Sequence, residues 1–353
     1  MKNFSIYDSI VCKFYKIKGD KMIKNYKVVE RSNWTGRIDS EDDFDSFRWH
    51  QWIKSIDLND ENLTPYEGSL GFALLGFACD MGVELNKGRT GASKGPKSIR
   101  NELSNLPWQS SKDVLLFDAG DIICENCTLD EAQDSLSRAV EKILSLNLFP
   151  ILLGGDHSIA FGHYKGILKY LKNKNEKKNI AIINFDSHFD LRPYEKGSNS
   201  GTMFRQIADL TNAHNINYSY FCVGIQKNSN TLSLFKTAKK LGVEYILAKD
   251  IANMDYYPII EKLDDFIKDK DHLYITLCSD VFSSAFAPGV SAPQALGLYP
   301  DKVLNLLKYL LRSKKAISFD IAEVSPRFDL DNTTANLASV MIFSVVNTLS
   351  KIS

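Results

Sequence analysis

The segment IAIINFDSHFD, residues 180–190, carries a mostly apolar run into three chemically active side chains, Asp186, His188 and Asp190. A near-continuous apolar run suits a strand buried on both faces, as in a parallel sheet. A polar finish belongs where ligands bind in such sheets, just outside the carboxyl ends of the strands. Seven further runs share the character: GFALLGFA (71–78), VLLFDAGDI (114–122), FPILLGGD (149–156), YSYFCVGIQ (218–226), VEYILAKDI (243–251), LYITLCSD (273–280) and AISFDIAEV (316–324). Between them lie amphipathic stretches such as LDEAQDSLSRAVEKILSL (129–146), where Leu129, Ala132, Leu136, Ala139, Val140 and Ile143 repeat at helical spacing. Thr128, with Glu131 three residues on, predicts a capping box at its start. Strand and helix signals that alternate in this way predict an α/β fold with a parallel sheet and crossover helices.

The chain has 353 residues, with 43 Lys plus Arg against 43 Asp plus Glu. No net field exists to gather nucleic acid or an anionic membrane, so a small-molecule substrate is expected, with no nucleic-acid and no membrane partner. Cysteines at 12, 79, 124, 127, 222 and 278 are too scattered for the disulfide framework of a small secreted protein. No signal-peptide pattern opens the sequence and no run of eighteen apolar residues occurs, so a cytoplasmic protein is expected, with Met22 an alternative start to Met1. Residues 1–69 are charged and hold Trp34, Trp49 and Trp52; they read as an N-terminal extension packed on a catalytic domain of residues 70–353. The segment LKNKNEKKN (171–179) reads as a solvated turn.

Other strands end as the first one does. His157 follows a glycine pair in FPILLGGDHS, Cys278 and Asp280 close LYITLCSD, and Glu323 closes AISFDIAE. If the backbone stays extended, alternation puts residues 186, 188 and 190 on one side. Each residue alone reads as a cap or a surface group. Together, imidazoles and carboxylates from several strand ends suit a divalent ion such as Mn2+, with carboxylates able to bridge a second ion, and such a pair equips a protein for hydrolysis.

GGDHS, DSHFD, SDVFSSAFAPGVSAP and DIAEVSP, in that order, resemble the signature blocks of the arginase-like ureohydrolase superfamily. The resemblance implies a three-layer α/β/α sandwich around an eight-stranded parallel sheet, two manganese ions, and attack of a metal-activated water on an amidine or guanidine carbon. By position, His157 and Asp190 resemble ligands of one ion, His188 and Asp280 ligands of the other, and Asp186 a bridge. Glu323 resembles the carboxylate that holds cationic amidine nitrogens.

Two positions depart from the broad pattern. Cys278 stands where arginases carry a bridging Asp; it reads either as a bridging thiolate or as a small buried thiol, which leaves the second ion open. Ser200 stands where arginases and agmatinases have a histidine, so protonation of the leaving amine falls to another group, Asp190 or water. WTGRIDS (34–40), GFACDMGVELNKGRTGASKGP (76–96) and GTMFRQIA (201–208) are similar to the formimidoylglutamase branch. That branch implies a substrate with two carboxylates, for which Asn86, Arg89 and Ser200 are the candidate binding residues and Asp190 and Glu323 the candidate catalytic ones. Arg205 reads as structural, and Cys124 and Cys127 as structural too. The rival readings are an agmatinase or guanidino-acid hydrolase and a metal-depleted arginase-like protein; a homo-oligomer remains open.

Overall fold

The structure is a computed structural model that describes residues 22–176 and 179–352. Cys12, the stretch read for a signal, and Lys177 and Lys178 of the charged turn lie outside the described residues. Among the described residues ten strands form one sheet: β1 (Tyr26–Lys27), β2 (Lys54–Ser55), β3 (Leu70–Ala78), β4 (Val114–Ile123), β5 (Phe149–Leu153), β6 (Ile180–Phe185), β7 (Tyr220–Ile225), β8 (Glu244–Leu247), β9 (His272–Cys278) and β10 (Ala316–Ala322). The eight apolar runs are β3 to β10, all parallel, in the order β4-β3-β5-β10-β9-β6-β7-β8. The count of eight is exceeded because β1 pairs antiparallel and β2 parallel with β4. Two-residue strands are too short to show a period, so no pattern could announce them.

Alternation along the strands explains the continuous apolar runs. Phe72 and Leu74 of β3 face one layer, with the helices Gly95–Ser104, Pro300–Arg312 and Thr333–Ser350. Ala73, Leu75 and Phe77 face the other, with the helices Leu129–Ser145, Ile159–Asn173 and Met203–Ala213. Both faces are dry, and each large apolar side chain buried in this way contributes roughly 1.5–3 kcal/mol. Thr128 and Glu131 cap the helix Leu129–Ser145 reciprocally.

The described residues ahead of β3 join the β4 edge through more than β1 and β2. Trp34 Nε1 donates to Asp118 Oδ2 at 2.7 Å, and Arg100 forks onto the same buried carboxylate at 2.8 and 2.9 Å while reaching Asp121 at 2.7 Å. Burial works against the Arg100 guanidinium, but Asp118 and Asp121 outweigh it and hold it charged.

The chain leaves β5 and re-enters the sheet at β6, beyond β10 and β9. Such a reversal of order opens a crevice at the carboxyl ends. The β5 end can enter that crowded place only because it is glycine: a Cβ on Gly154 would lie 2.4 Å from the Ile321 carbonyl oxygen, and one on Gly155 2.2 Å from that of Cys79.

Candidate metal centre and substrate cleft

The ends of β5, β10, β9 and β6, four consecutive neighbours in the sheet, deliver His157, Glu323, Cys278 with Asp280, and Asp186 with His188 and Asp190. The ligand atoms of His157, Asp186 and Cys278 lie within 4.8 Å of one another, as do those of Asp186, His188 and Asp280. Asp186 belongs to both groups. Its Oδ2 is 2.9 Å from His157 Nδ1 and its Oδ1 is 3.4 Å from His188 Nδ1. Asp190 Oδ2 approaches His157 Nδ1 at 3.2 Å, and Asp280 Oδ2 approaches His188 Nδ1 at 3.2 Å. These are two pockets sharing a carboxylate, as two neighbouring cations require.

The convergence does not come from strand alternation. β6 ends at Phe185, before the first ligand, and Asp190 adopts a left-handed backbone with φ 49°. Glu323, just past β10, does the same with φ 62°. A non-glycine residue in that region is strained by about 1–3 kcal/mol, and such strain concentrates at functional sites. The fixed points are hydrogen bonds: Asp186 N donates to Val223 O at 3.0 Å, and Glu323 N to Gly155 O at 2.8 Å.

The electrostatics also call for cations. Burial lowers the pKa of His157, but Asp186 and Asp190 overcome it and raise it well above the ordinary value. Burial is likewise outweighed at His188, by Asp280 and Asp186. Asp190 is pushed up to about 6, by burial and then by the charge of Asp186. Burial pushes the Cys278 thiol well up, and Asp186, Asp280 and Glu323 add to it, so without a cation nearby this group is a thiol. Among the described residues, Asp280 Oδ1 and Glu323 Oε2 are buried with no hydrogen-bond partner, and His157 Nδ1 meets only the carboxylates of Asp186 and Asp190. Orphaned donor atoms beside crowded carboxylates fit a divalent pair: His157, Asp186, Asp190 and Cys278 would hold one ion, and His188, Asp186 and Asp280 the other.

Above the ligands lies a cleft of about 130 Å3, lined in part by Asn86, Arg192, Ser200, Ser291 and Glu323. Asn86 Nδ2 donates to Ser200 Oγ at 3.3 Å, which puts these two expected residues side by side. Glu323 uses Oε1 to accept from His157 N at 3.0 Å. Its carboxyl is pushed up to about 8 by burial and by the charges of Asp156 and Asp280.

Arg89 corrects an expectation. Its Nε and Nη2 donate to the carbonyls of Ser291 and Val290 at 3.0 and 2.7 Å, its guanidinium lies 4.1 Å over the Phe328 ring, and it does not line the cleft. Arg89 fastens a loop that forms the cleft wall. The arginine that lines the cleft is Arg192, whose side chain has no protein partner among the described residues. It continues the 186, 188, 190 spacing by one step, a signal the sequence reading did not follow. Arg205 pairs with Asp209 at 3.6 Å, in keeping with a structural role. Cys124 and Cys127, with sulfurs 4.0 Å apart, stand outside the cleft lining.

A model of the arginase family matches residues 70–347. The chain is 60% identical over 329 residues to the formimidoylglutamase of Clostridium tetani, covering 93% of this chain and 97% of that protein. It is 44% identical over 314 residues to the formimidoylglutamase of a Geobacillus species, covering 89% and 94%. The crystal structure of formimidoylglutamase from Bacillus subtilis superposes with a TM-score of 0.75 at 25% identity, covering 91% of this chain and 97% of that one. A Trypanosoma cruzi formiminoglutamase solved with two manganese ions shares the fold, with a TM-score of 0.71 at 22% identity over 80% of this chain and 95% of its own.

Proposed function

The chain belongs to the arginase family, and from that membership and its cleft we infer that it hydrolyses N-formimidoyl-L-glutamate to L-glutamate and formamide, a step of histidine degradation. The observation that carries the reading is the 60% identity to a formimidoylglutamase over nearly the full length of both proteins. The reaction adds water across a linear amidine: an oxygen–carbon bond forms, the carbon–nitrogen bond to glutamate breaks, and the leaving nitrogen takes a proton.

His157, Asp186, Asp190 and Cys278, with His188 and Asp280, would hold two divalent ions, manganese on the precedent of the Trypanosoma cruzi protein, which would supply Lewis acidity for the addition of water. The chain's own groups do the rest. Glu323 Oε2, buried and unpartnered among the described residues, is set to accept from the cationic amidine nitrogens. Binding that cation favours the ionised carboxylate, which lowers the Glu323 pKa from about 8. Asp190, which lines the cleft beside His157, is the group assigned to carry a proton towards the leaving nitrogen. Arg192, Asn86 and Ser200 form the polar wall that receives the glutamate carboxylates, with Arg192 offering a planar fork to one of them.

The test is turnover of formimidoylglutamate against agmatine by protein loaded with Mn2+. Formimidoylglutamate is expected to dominate, and Arg192→Lys is expected to lower kcat/KM for it on the order of tenfold while metal content is unchanged. Faster turnover of agmatine would hand the case to another ureohydrolase activity. An Arg192→Ala variant with wild-type kinetics would remove Arg192 from the substrate wall.

A further inference from the structure

His157 has a second nitrogen, and it points into the sheet. Its Nε2 lies 3.0 Å from Thr276 Oγ1, and Thr276 Oγ1 lies 2.5 Å from Asp320 Oδ1. The other oxygen of Asp320 takes the Tyr274 hydroxyl at 2.5 Å and His163 Nδ1 at 2.6 Å. All five side chains are buried. The sheet itself fixes the central link, because Thr276 and Asp320 are register partners on β9 and β10.

The protons in this chain have one consistent arrangement. A carboxylate only accepts, so Tyr274, His163 and Thr276 each donate to Asp320. The single hydroxyl proton of Thr276 is thereby committed, and its oxygen is left to accept. His157 Nε2 must then carry a hydrogen. The other ring nitrogen, Nδ1, faces Asp186 Oδ2 at 2.9 Å and Asp190 Oδ2 at 3.2 Å, where it takes either a proton or, once neutral, offers its lone pair to a metal ion. A lone pair aimed at two carboxylates is repulsive unless a cation lies between them. With the opposite tautomer the ring would donate Nδ1–H to Asp186 and be lost as a ligand.

We propose that Asp320 is a positioning residue which, through Thr276, holds His157 in the Nε2–H tautomer and so reserves Nδ1 for a metal ion. The proposal rests on the reading of the cleft as a metal centre. His163 and Tyr274 complete it by holding the carboxylate in place. An outer partner that orients a histidine ligand typically changes metal affinity by about 10–100-fold when removed.

Thr276→Val keeps the side-chain shape and removes the hydroxyl, whereas Thr276→Ser keeps the hydroxyl. In metal-free protein with 15N-labelled histidine, slow exchange of the Nε2–H proton assigned to His157, by its loss in His157→Asn, is expected in wild type and in Thr276→Ser, where Thr276 Oγ1 or the serine hydroxyl accepts it. In Thr276→Val, with no acceptor, that proton is expected to exchange markedly faster. In Mn2+ titrations Thr276→Val should weaken one of two ions by about 10–100-fold and leave the other within about threefold, with Thr276→Ser close to wild type. Asp320→Asn can donate to Thr276 and so reverse the chain, and the same ion should weaken. A Thr276→Val protein that keeps the slow Nε2–H exchange and both affinities, with only its melting temperature lowered, would overturn the proposal. The imidazole signal is read without metal, so a wild-type protein that fails to turn over formimidoylglutamate overturns the functional reading alone.

Discussion

At the candidate metal centre, protons and metal ions would compete for the same atoms. His157 and His188 both have raised pKa values in the metal-free protein, because each faces two carboxylates. An ion needs the neutral ring, so binding expels those protons. The sign follows: the metal-free state holds more protons than the loaded one, and apparent Mn2+ affinity must rise as pH rises. Calorimetric titration in buffers of different ionisation enthalpy should show proton release, and affinity independent of pH from 6 to 8 would contradict it. Cys278 invites a second test, since its sulfur lies within ligand distance of His157 and Asp186. A thiolate ligand favours soft ions. Cys278→Ser is therefore expected to weaken Cd2+ binding by roughly tenfold more than Mn2+ binding. Equal effects on both ions would make Cys278 a packed thiol with no ligand role.

Among the elements, the end of β5 tolerates little change. A methyl group on Gly155 would meet two carbonyl oxygens, those of Cys79 and Phe77, at 2.2 and 2.4 Å, and backbone atoms cannot step aside as a side chain would. Gly155→Ala is expected to destabilise the protein by about 1–3 kcal/mol in urea unfolding and to impair Mn2+ binding, because His157 follows two residues later. A variant with wild-type midpoint and metal content would show that the β5 end can shift freely. The strands β3 to β7, β9 and β10 were legible because both faces of each are largely buried, which leaves near-continuous apolar runs, whereas β8 is a four-residue strand at the sheet edge with Glu244 and Tyr245 exposed. Their polar ends were legible for the complementary reason, that Asp186, His157, Asp280 and Glu323 break those runs abruptly. Contacts that carry no period were not legible. The strands β1 and β2 are too short for one, the fork of Arg89 is spent on carbonyls that only the fold brings near, and Thr276 and Asp320 look like ordinary strand residues until the register pairs them. Arg192 was within reach, one step past a spacing already noticed.

For the molecule as a whole, the order of the strands decides when the metal can act. The candidate ligands follow β5, β6 and β9, and β5 and β9 touch only through β10, the last strand among the described residues. Leu153 meets Ile321 across that junction, so the pocket closes on a loop of well over a hundred residues. Contacts of such long separation form late, after their chain entropy has been lost to other pairings. An ion that needs all three strands is then absent from the folding transition state, and its binding energy appears only on the native side of the barrier. Saturating Mn2+ should leave the refolding rate of chelator-treated protein nearly unchanged and slow its unfolding, by a factor that follows ion concentration. Stopped-flow refolding with and without Mn2+ decides the point, and a refolding rate that climbs with Mn2+ would mean the ion nucleates the sheet. On this account the metal centre is a kinetic lock. It does not guide the chain to its structure, but once the last strand is seated it sets how long that structure persists.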